Sequence, residues 1–151
     1  MTKNLQKSPQ YWLNLADCEE LFQNFKKLLA QEEPIPPFNH RFEGKLEGIL
    51  GSVCQTFNGV FLNKTVLDAA AAYFNQLVRG HAFENGNKRC AVLYTHWFLL
   101  MNGAESTLTA KEMYAFAVTV AKAGERDIDA ETTKQWCKKI INKFTRNRKL
   151  A

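Results

Sequence analysis

The spacing of the apolar residues is the feature that most constrains this fold, because it is helical almost throughout the chain. Three stripes recur at intervals of three and four residues: Leu21, Phe22, Phe25, Leu28 and Leu29; then Phe42, Leu46, Ile49, Leu50 and Val53; then Val66, Ala70, Tyr73, Phe74 and Leu77. Residues spaced in this way lie on one face of a helix, which they bury. The pattern predicts an all-α fold, a compact bundle of about six helices.

Helix signals continue into the second half of the chain. Residues 90–101, CAVLYTHWFLLM, are apolar nearly all round, which predicts a helix buried on most sides. A capping box formed by Thr109 and Glu112 opens the next helix, and Asp129 is expected to cap the last one. A proline-rich connection at 34–38 separates the first two helices, because proline lacks an N–H donor and has a fixed φ.

The segment QTFNGVFLN departs from the helical period. Asn58 and Gly59 stand between two apolar or β-branched pairs, Thr56-Phe57 and Val60-Phe61. An Asn-Gly pair with such flanks favours a β-hairpin, since a type I′ turn needs two positive φ angles. A lone hairpin must lean on another element, and its exposed edge can recruit an extended peptide. A plain surface turn is the alternative interpretation.

Size and composition indicate one globular domain over residues 1–151, with 46% hydrophobic residues and no repeat. The chain shows no apolar run of membrane length and no signal-peptide pattern at its start, so we expect a cytoplasmic protein. The four cysteines form no CxxC pair. Three of them lie within apolar helical patterns, which favours buried free thiols over a structural zinc site.

The net charge of +5 comes largely from the C-terminal end, KKIINKFTRNRK, which includes a basic tail at 145–151. We interpret this end as a solvated helix face followed by frayed residues. Nucleic acid and an acidic protein are alternative partners for it. No aromatic residues alternate with the charges as they do on a base-stacking surface, so nucleic-acid binding is not favoured.

The decapeptide HAFENGNKRC, residues 81–90, concentrates polar chemistry beside the apolar helix. If that helix begins near Gly86, the free N–H groups of its first turn and its positive dipole end form an anion site. Lys88 and Arg89 add positive charge there, and phosphate is the obvious guest. His81, with an unperturbed pKa of about 6.5, is suited to take a proton from a hydroxyl that attacks the phosphate.

Two further observations bear on this loop. Phe83 is expected to pin it under the core. The standard phosphate-binding patterns GxxxxGK[ST] and GxGxxG are absent, so any nucleotide must be bound through the decapeptide.

HAFENGNKR resembles the signature of the Fic/Doc family, His-x-Phe-x-Asp/Glu-Gly/Ala-Asn-Gly/Lys-Arg. The hairpin, the helix before the motif, the apolar helix after it and the downstream helices follow the family's order over roughly residues 40–140. Lys88 and Val92 resemble the death-on-curing branch, since the nucleotidylating branch has glycine and a second arginine there. The resemblance implies a Fic/Doc-like fold and a transferase that modifies a hydroxyl of a target protein with a nucleoside triphosphate.

The same resemblance implies a role for each motif residue. His81 is the general base, Asn87 holds phosphate oxygens above the backbone amides from Gly86 onward, and Lys88 and Arg89 neutralise the triphosphate. ATP, or another nucleoside triphosphate, and Mg²⁺ are the implied cofactors. The hairpin is the implied flap that aligns the target protein by strand pairing, through Phe57, Asn58, Gly59 and Val60.

The acidic residue that holds magnesium in the family falls on Asn85 here. An amide oxygen can bind Mg²⁺ but brings no negative charge, so we expect weaker metal binding. Glu84 is one residue away and replaces it only if the loop is rearranged. The family's self-inhibiting pattern, Ser/Thr-x-x-x-Glu-Gly/Asn, is absent. A toxic protein of this kind is expected to be restrained by a separate antitoxin.

Several functions remain open at this point. By resemblance to the death-on-curing branch, the first expectation is a toxin-like protein kinase, with elongation factor Tu as a plausible target. Transfer of AMP or another nucleotidyl group is the alternative reaction. A catalytically impaired module that only binds nucleotide or protein is a second class, motivated by Asn85. A basic nucleic-acid binder rests on the tail alone.

Overall fold

Seven α-helices make up most of the chain that the computed structural model describes, which is residues 2–30 and 35–149. They are α1 (Leu15–Asn24), α2 (Lys26–Ala30), α3 (Lys45–Val53), α4 (Val66–Arg79), α5 (Asn87–Met101), α6 (Ala110–Glu125) and α7 (Ala130–Lys143). Two antiparallel strand pairs accompany them: β1 (Thr56–Phe57) with β2 (Val60–Phe61), and β3 (Ala104–Ser106) with β4 (Thr145–Asn147). The predicted all-α fold with one hairpin is confirmed, with β3–β4 as an addition.

Helix α4 lies at the centre of the bundle, because α3, α5, α6 and α7 all pack against it. Its alanines at 69–72 are all buried, and their small side chains let neighbouring helices approach closely. The side chain of Thr65 caps the helix by accepting the N–H of Asp68. Every residue of the predicted third stripe is buried.

The prediction that residues 90–101 are buried on most sides is confirmed, with His96 as the one exposed residue of this range. Helix α5 fully buries Cys90, Ala91, Tyr94, Thr95, Phe98 and Leu99, and Val92, Leu93 and Trp97 pack against the core while partly buried. Near the end of the helix, a cavity of about 240 Å³ lies between residues 11–14 and the side chains of Trp97, Phe98 and Met101.

The first predicted stripe does not form one helix. Helix α1 ends at Asn24, Phe25 leaves the helical conformation with φ −112° and ψ 18°, and α2 follows as a short helix. Phe25 and Leu28 are exposed as a result, whereas Leu29 is buried. The proline-rich connection lies partly outside the described residues, since Pro34 is not among them.

Both predicted helix caps are confirmed. Thr109 and Glu112 form the complete capping box at the start of α6, and the Asp129 side chain accepts the N–H of Thr132 at the start of α7. Among the helices of the described ranges, none combines the length and the apolar content that a membrane crossing requires.

The predicted hairpin is also present. Asn58 and Gly59 have φ angles of 52° and 77°, which is the backbone that a type I′ turn requires and that glycine adopts without strain. Thr56 pairs with Phe61 across the strands. The hairpin leans on the N-terminal segment, because the rings of Phe61 and Trp12 lie 4.9 Å apart.

The C-terminal end is not frayed as far as residue 147, which corrects the interpretation of the basic tail. Strand β4 pairs with β3, and Arg146 forms an ion pair of 2.9 Å with Glu105. The Thr2 hydroxyl donates to the carbonyl oxygen of Thr145 over 2.6 Å. These partners are far away along the chain, so local composition carried no sign of them. Residues 150 and 151 of the tail lie outside the described part.

Candidate functional site

A cavity of about 430 Å³ opens where α4 ends, α5 begins and α6 ends. Most of the decapeptide's polar residues border it. Its lining consists of Val78, Arg79, His81, Glu84, Asn85, Gly86, Asn87, Lys88, Ala121, Gly124 and Glu125. The predicted site residues His81, Asn85, Gly86, Asn87 and Lys88 are therefore brought together around one opening.

The loop between α4 and α5 is held by an aromatic side chain and an amide clamp. Phe83 is buried and contacts the rings of Phe22 and Phe38, each at a centroid distance of 6.0 Å. The Asn87 side chain accepts the N–H of Phe83 over 3.0 Å and donates to its carbonyl oxygen over 2.8 Å. The prediction that Phe83 pins the loop is confirmed.

This clamp changes what Asn87 can offer a ligand. Its carbonyl oxygen and one of its two amide hydrogens are bonded to Phe83. One N–H remains for a phosphate oxygen, because a primary amide carries two donors. The side chain thus positions the loop, and its predicted contact with phosphate stays a prediction.

His81 combines exposure with an uncommon backbone conformation. Its φ angle is 49°, in the left-handed region, and its side chain borders the cavity. A non-glycine residue there costs on the order of 1 kcal/mol, and such residues cluster at functional sites. Among the described residues, none forms a hydrogen bond or an ion pair with the imidazole. The imidazole is therefore open to contact with a group that enters the cavity.

The start of α5 has the geometry of an anion site. Gly86 has a φ of 84°, and a Cβ there would lie 3.0 Å from Cδ1 of Ile35, so glycine is needed at this position. No side chain caps this end, and the first bond of the helix runs from the Cys90 N–H to the Gly86 oxygen. The N–H groups of residues 87–89 therefore lack acceptors within the helix.

The structure separates the two cations that the sequence places side by side. Lys88 borders the cavity. Arg89 does not, because Nη1 of its guanidinium donates to the carbonyl oxygen of Leu29 over 2.9 Å. Consecutive residues point about 100° apart around a helix, so the two side chains leave it in different directions. Binding of phosphate by Arg89 remains a prediction that this conformation does not favour.

Two charged residues in the lining were missed by sequence reasoning. Arg79 ends α4 two residues before His81, and this proximity in sequence is the signal by which it could have been found. Glu125 comes from the end of α6. Nothing local in the sequence marks it, because the packing of α6 against α5 brings it to the opening.

The oxygen of Asn85 is engaged within its own loop. Its Oδ1 accepts the N–H of Gly86 over 2.8 Å. Within residues 2–30 and 35–149, no group of three or more His, Cys, Asp or Glu side chains is arranged to hold a metal ion. The amide oxygen of Asn85 suits a Mg²⁺ ion that takes most of its ligands from phosphates and water, as this ion commonly does.

Nucleophilic chemistry by cysteine is disfavoured. Burial raises the pKa of the Cys18, Cys90 and Cys137 thiols to about 12, so none of them forms a thiolate at neutral pH. All four cysteines are free, and these three are buried, as predicted.

The hairpin does not reach this cavity. Its Phe61 contacts Trp12, whose ring lies 6.3 Å from that of Phe98 in the second half of α5. Helix α5 rises about 16 Å between Asn87 and Phe98, so the hairpin is anchored near the opposite end of this helix. Alignment of a target by this hairpin stays a prediction.

The model of the Fic/DOC family matches residues 12–99 of the chain, which is more than half of it. The match runs from just before α1 into α5. It therefore includes the hairpin and the loop with His81, but not α6 and α7. No curated protein matches the chain.

Proposed function

Because the chain belongs to the Fic/DOC family, whose members generally are transferases that use nucleotides, we propose that it modifies a hydroxyl of a target protein with a nucleoside triphosphate. The cavity at the start of α5 is the proposed active site. One observation carries the proposal: His81, Lys88 and the uncapped first turn of α5 border the same opening. This arrangement supports the proposed roles of His81 as a proton acceptor and of the helix end as an anion site.

Each group has a proposed role in the transfer. His81 accepts the proton of the attacking hydroxyl. Lys88 and the N–H groups of the first turn of α5 bind phosphate oxygens and stabilise the charge that develops on them. Asn87 keeps the loop in place for both tasks through its bonds to Phe83. Mg²⁺, when bound with the nucleotide near Asn85, supplies further positive charge.

Phosphoryl transfer is the reaction that we propose first. Lys88 supports it, since the nucleotidylating branch has glycine at this position, and nucleotidyl transfer is the alternative. The orientation of the triphosphate in the cavity decides between them. A translation factor such as elongation factor Tu is the first target to test, and a separate antitoxin is the proposed restraint.

A second candidate is a nucleotide-binding or protein-binding module with impaired catalysis. It is favoured by Asn85, which places an amide where the family has a carboxylate. The bond from the Gly86 N–H to Asn85 Oδ1 further reduces the capacity of this oxygen to hold a metal.

The test is transfer of label to protein in a cell lysate, with ATP labelled on either the α or the γ phosphate. We expect label from γ. His81→Ala, and His81→Asn, which tolerates a positive φ, are expected to lose activity by about 10²–10⁴-fold. His40→Ala, at an exposed histidine outside the cavity, is the matched control.

Label from the α phosphate would show that the reaction is nucleotidylation and not phosphorylation. Absence of label from both positions, with an active relative as positive control, would favour the impaired module. Full activity in folded His81→Asn would remove the histidine from the mechanism.

A further inference from the structure

We propose that Arg79 is a phosphate-binding residue of this cavity and that it selects a di- or triphosphate over a monophosphate. This inference rests on the nucleotide-dependent function proposed above. It assigns to Arg79 the role of a second cation, which the sequence had suggested for Arg89.

The position of Arg79 is the first reason. It is the last residue of α4, is partly buried and borders the cavity that His81 and Lys88 also line. Among the described residues it takes part in no ion pair, although Glu84 and Glu125 border the same cavity. Its charge is therefore not cancelled by direct contact with a carboxylate there.

The anchoring of its guanidinium is the second reason. Nη1 of Arg79 donates to Oγ1 of Thr133 over 2.9 Å. That hydroxyl donates in turn to Oδ1 of Asn75 over 2.7 Å, and the Asn75 amide donates to the Ala130 oxygen over 2.9 Å. Thr133 and Asn75 are both buried, with exposures of 0% and 3%. A neutral, fixed acceptor orients the arginine and leaves its charge available to a ligand.

The wall beside the guanidinium is the third reason. A Cβ on Gly124 would lie 3.4 Å from Nε, 3.5 Å from Cζ and 3.6 Å from Nη2 of Arg79. The guanidinium thus lies beside Gly124 of α6, with room for about one methyl group between them. This neighbour and the bond to Thr133 limit the space open to the side chain before any ligand arrives, which lowers the entropy cost of binding.

Two separate sources of positive charge explain the selectivity. Arg79 comes from the end of α4, whereas Lys88 and the free N–H groups come from the start of α5. A single phosphate at the start of α5 contacts only the second of these two sources. A chain of two or three phosphates extends from that end to the guanidinium and satisfies both, since planar arginine binds phosphate through two parallel bonds.

The experiment is calorimetric titration of the full chain with ATP, ADP, AMP and inorganic tripolyphosphate. We expect Arg79→Gln to weaken ATP and tripolyphosphate binding about 10- to 100-fold, as loss of a charged hydrogen-bonding group does, and AMP binding by less than about threefold. Arg126→Gln, an exposed arginine just beyond α6 and outside the lining, makes the same charge change as a control.

Thr133 tests the anchoring separately. Thr133→Val is expected to lower the ratio of ATP affinity to AMP affinity. Thr133→Ser, which keeps the hydroxyl, is expected to have the wild-type ratio. A general loss of structure would lower both affinities together and leave the ratio unchanged.

The remaining outcomes separate this inference from the proposed function. Tight ATP binding by the wild type with unchanged affinity in Arg79→Gln overturns the role of Arg79 alone, as does an equal loss for ATP and AMP. No binding of any of the four probes by the wild type overturns both. If Arg79→Gln does not fold, Arg79→Lys replaces it in the test. We expect its ATP affinity to fall severalfold and its AMP affinity to stay unchanged. Any other result would mean that the role of Arg79 is wrong.

Discussion

At the scale of single residues, Asn85 contributes a neutral amide to the cavity that the charged residues Glu84 and Lys88 also border. Its amide oxygen is a dipole and not a full negative charge, and the Gly86 N–H already occupies it. A carboxylate at this position would attract Mg²⁺ and repel bare phosphate, because unit charges at contact distance interact far more strongly than dipoles. The two effects have opposite signs and can be measured separately.

We predict that Asn85→Asp weakens ATP binding without divalent ions and strengthens it with increasing Mg²⁺. Titration with ATP at a series of Mg²⁺ concentrations measures the point at which the effect of Asn85→Asp on ATP affinity changes sign. Glu84→Gln, which removes a carboxylate that also borders the cavity, is the comparison: we expect it to strengthen ATP binding without divalent ions and to keep the wild-type dependence on Mg²⁺. A reversed result, with Glu84→Gln losing the magnesium dependence and Asn85→Asp behaving as wild type, would mean that Glu84 is the metal ligand.

At the scale of elements, the junction of the loop with α5 depends on one side chain that bonds to the backbone on both sides of Phe83. Asn87 is the first residue of α5, so its clamp joins the start of the helix to the loop. Only a group that both accepts and donates can make these two bonds. A substitution that keeps the acceptor and removes the donor therefore tests the clamp.

We predict that Asn87→Asp lowers the free energy of unfolding by about 1–3 kcal/mol, because the Phe83 oxygen loses its donor and faces a carboxylate. Urea denaturation measures the change. Asn24→Asp, at an exposed position at the end of α1, is the control and should stay within about 0.5 kcal/mol of wild type. Equal stability of both variants would show that the clamp contributes nothing.

At the scale of the whole molecule, α4 and α7 are joined by polar contacts along their length. Lys138 pairs with Asp68 over 2.7 Å, and Thr133 bonds to Asn75 and Arg79 farther along. Burial, the largest influence on Asp68, raises its pKa, but hydrogen bonds from Lys138 and Thr65 together lower it more. The net pKa of Asp68 is lower in the folded protein than in the unfolded chain.

A lowered pKa makes this contact a source of acid sensitivity. Its contribution to stability is present above the unfolded pKa, which is about 3.9, and is lost as the pH falls through the folded pKa. We predict that Asp68→Asn lowers stability at pH 7 by about 0.5 kcal/mol, since both side chains of the pair are partly exposed and solvent weakens their attraction, and has no such effect near pH 2.

Thermal unfolding from pH 2 to pH 7 measures this difference. Lys138→Gln is the partner control, and the double variant should be no less stable than either single one. Additive losses in the double variant would show that the two side chains act independently.

The sequence by itself determined the features that depend on neighbours a few residues apart. The third helical stripe, the capping box of Thr109 and Glu112, the cap at Asp129 and the Asn58-Gly59 turn are predicted from the sequence and are present. Each arises from steric or hydrogen-bonding preferences within one or two turns of chain. The decapeptide belongs to the same class, since its glycine, amides and charges adjoin one helix start.

Only the tertiary structure decided which of these groups meet. Arg89 faces Leu29 and Arg79 faces the cavity, because the direction of a side chain on a helix has meaning only once neighbouring helices are packed. Packing likewise made α4 the central helix, paired β3 with β4 and anchored the hairpin near Phe98. These contacts join residues distant in sequence, where burial and chain connectivity outweigh local preference.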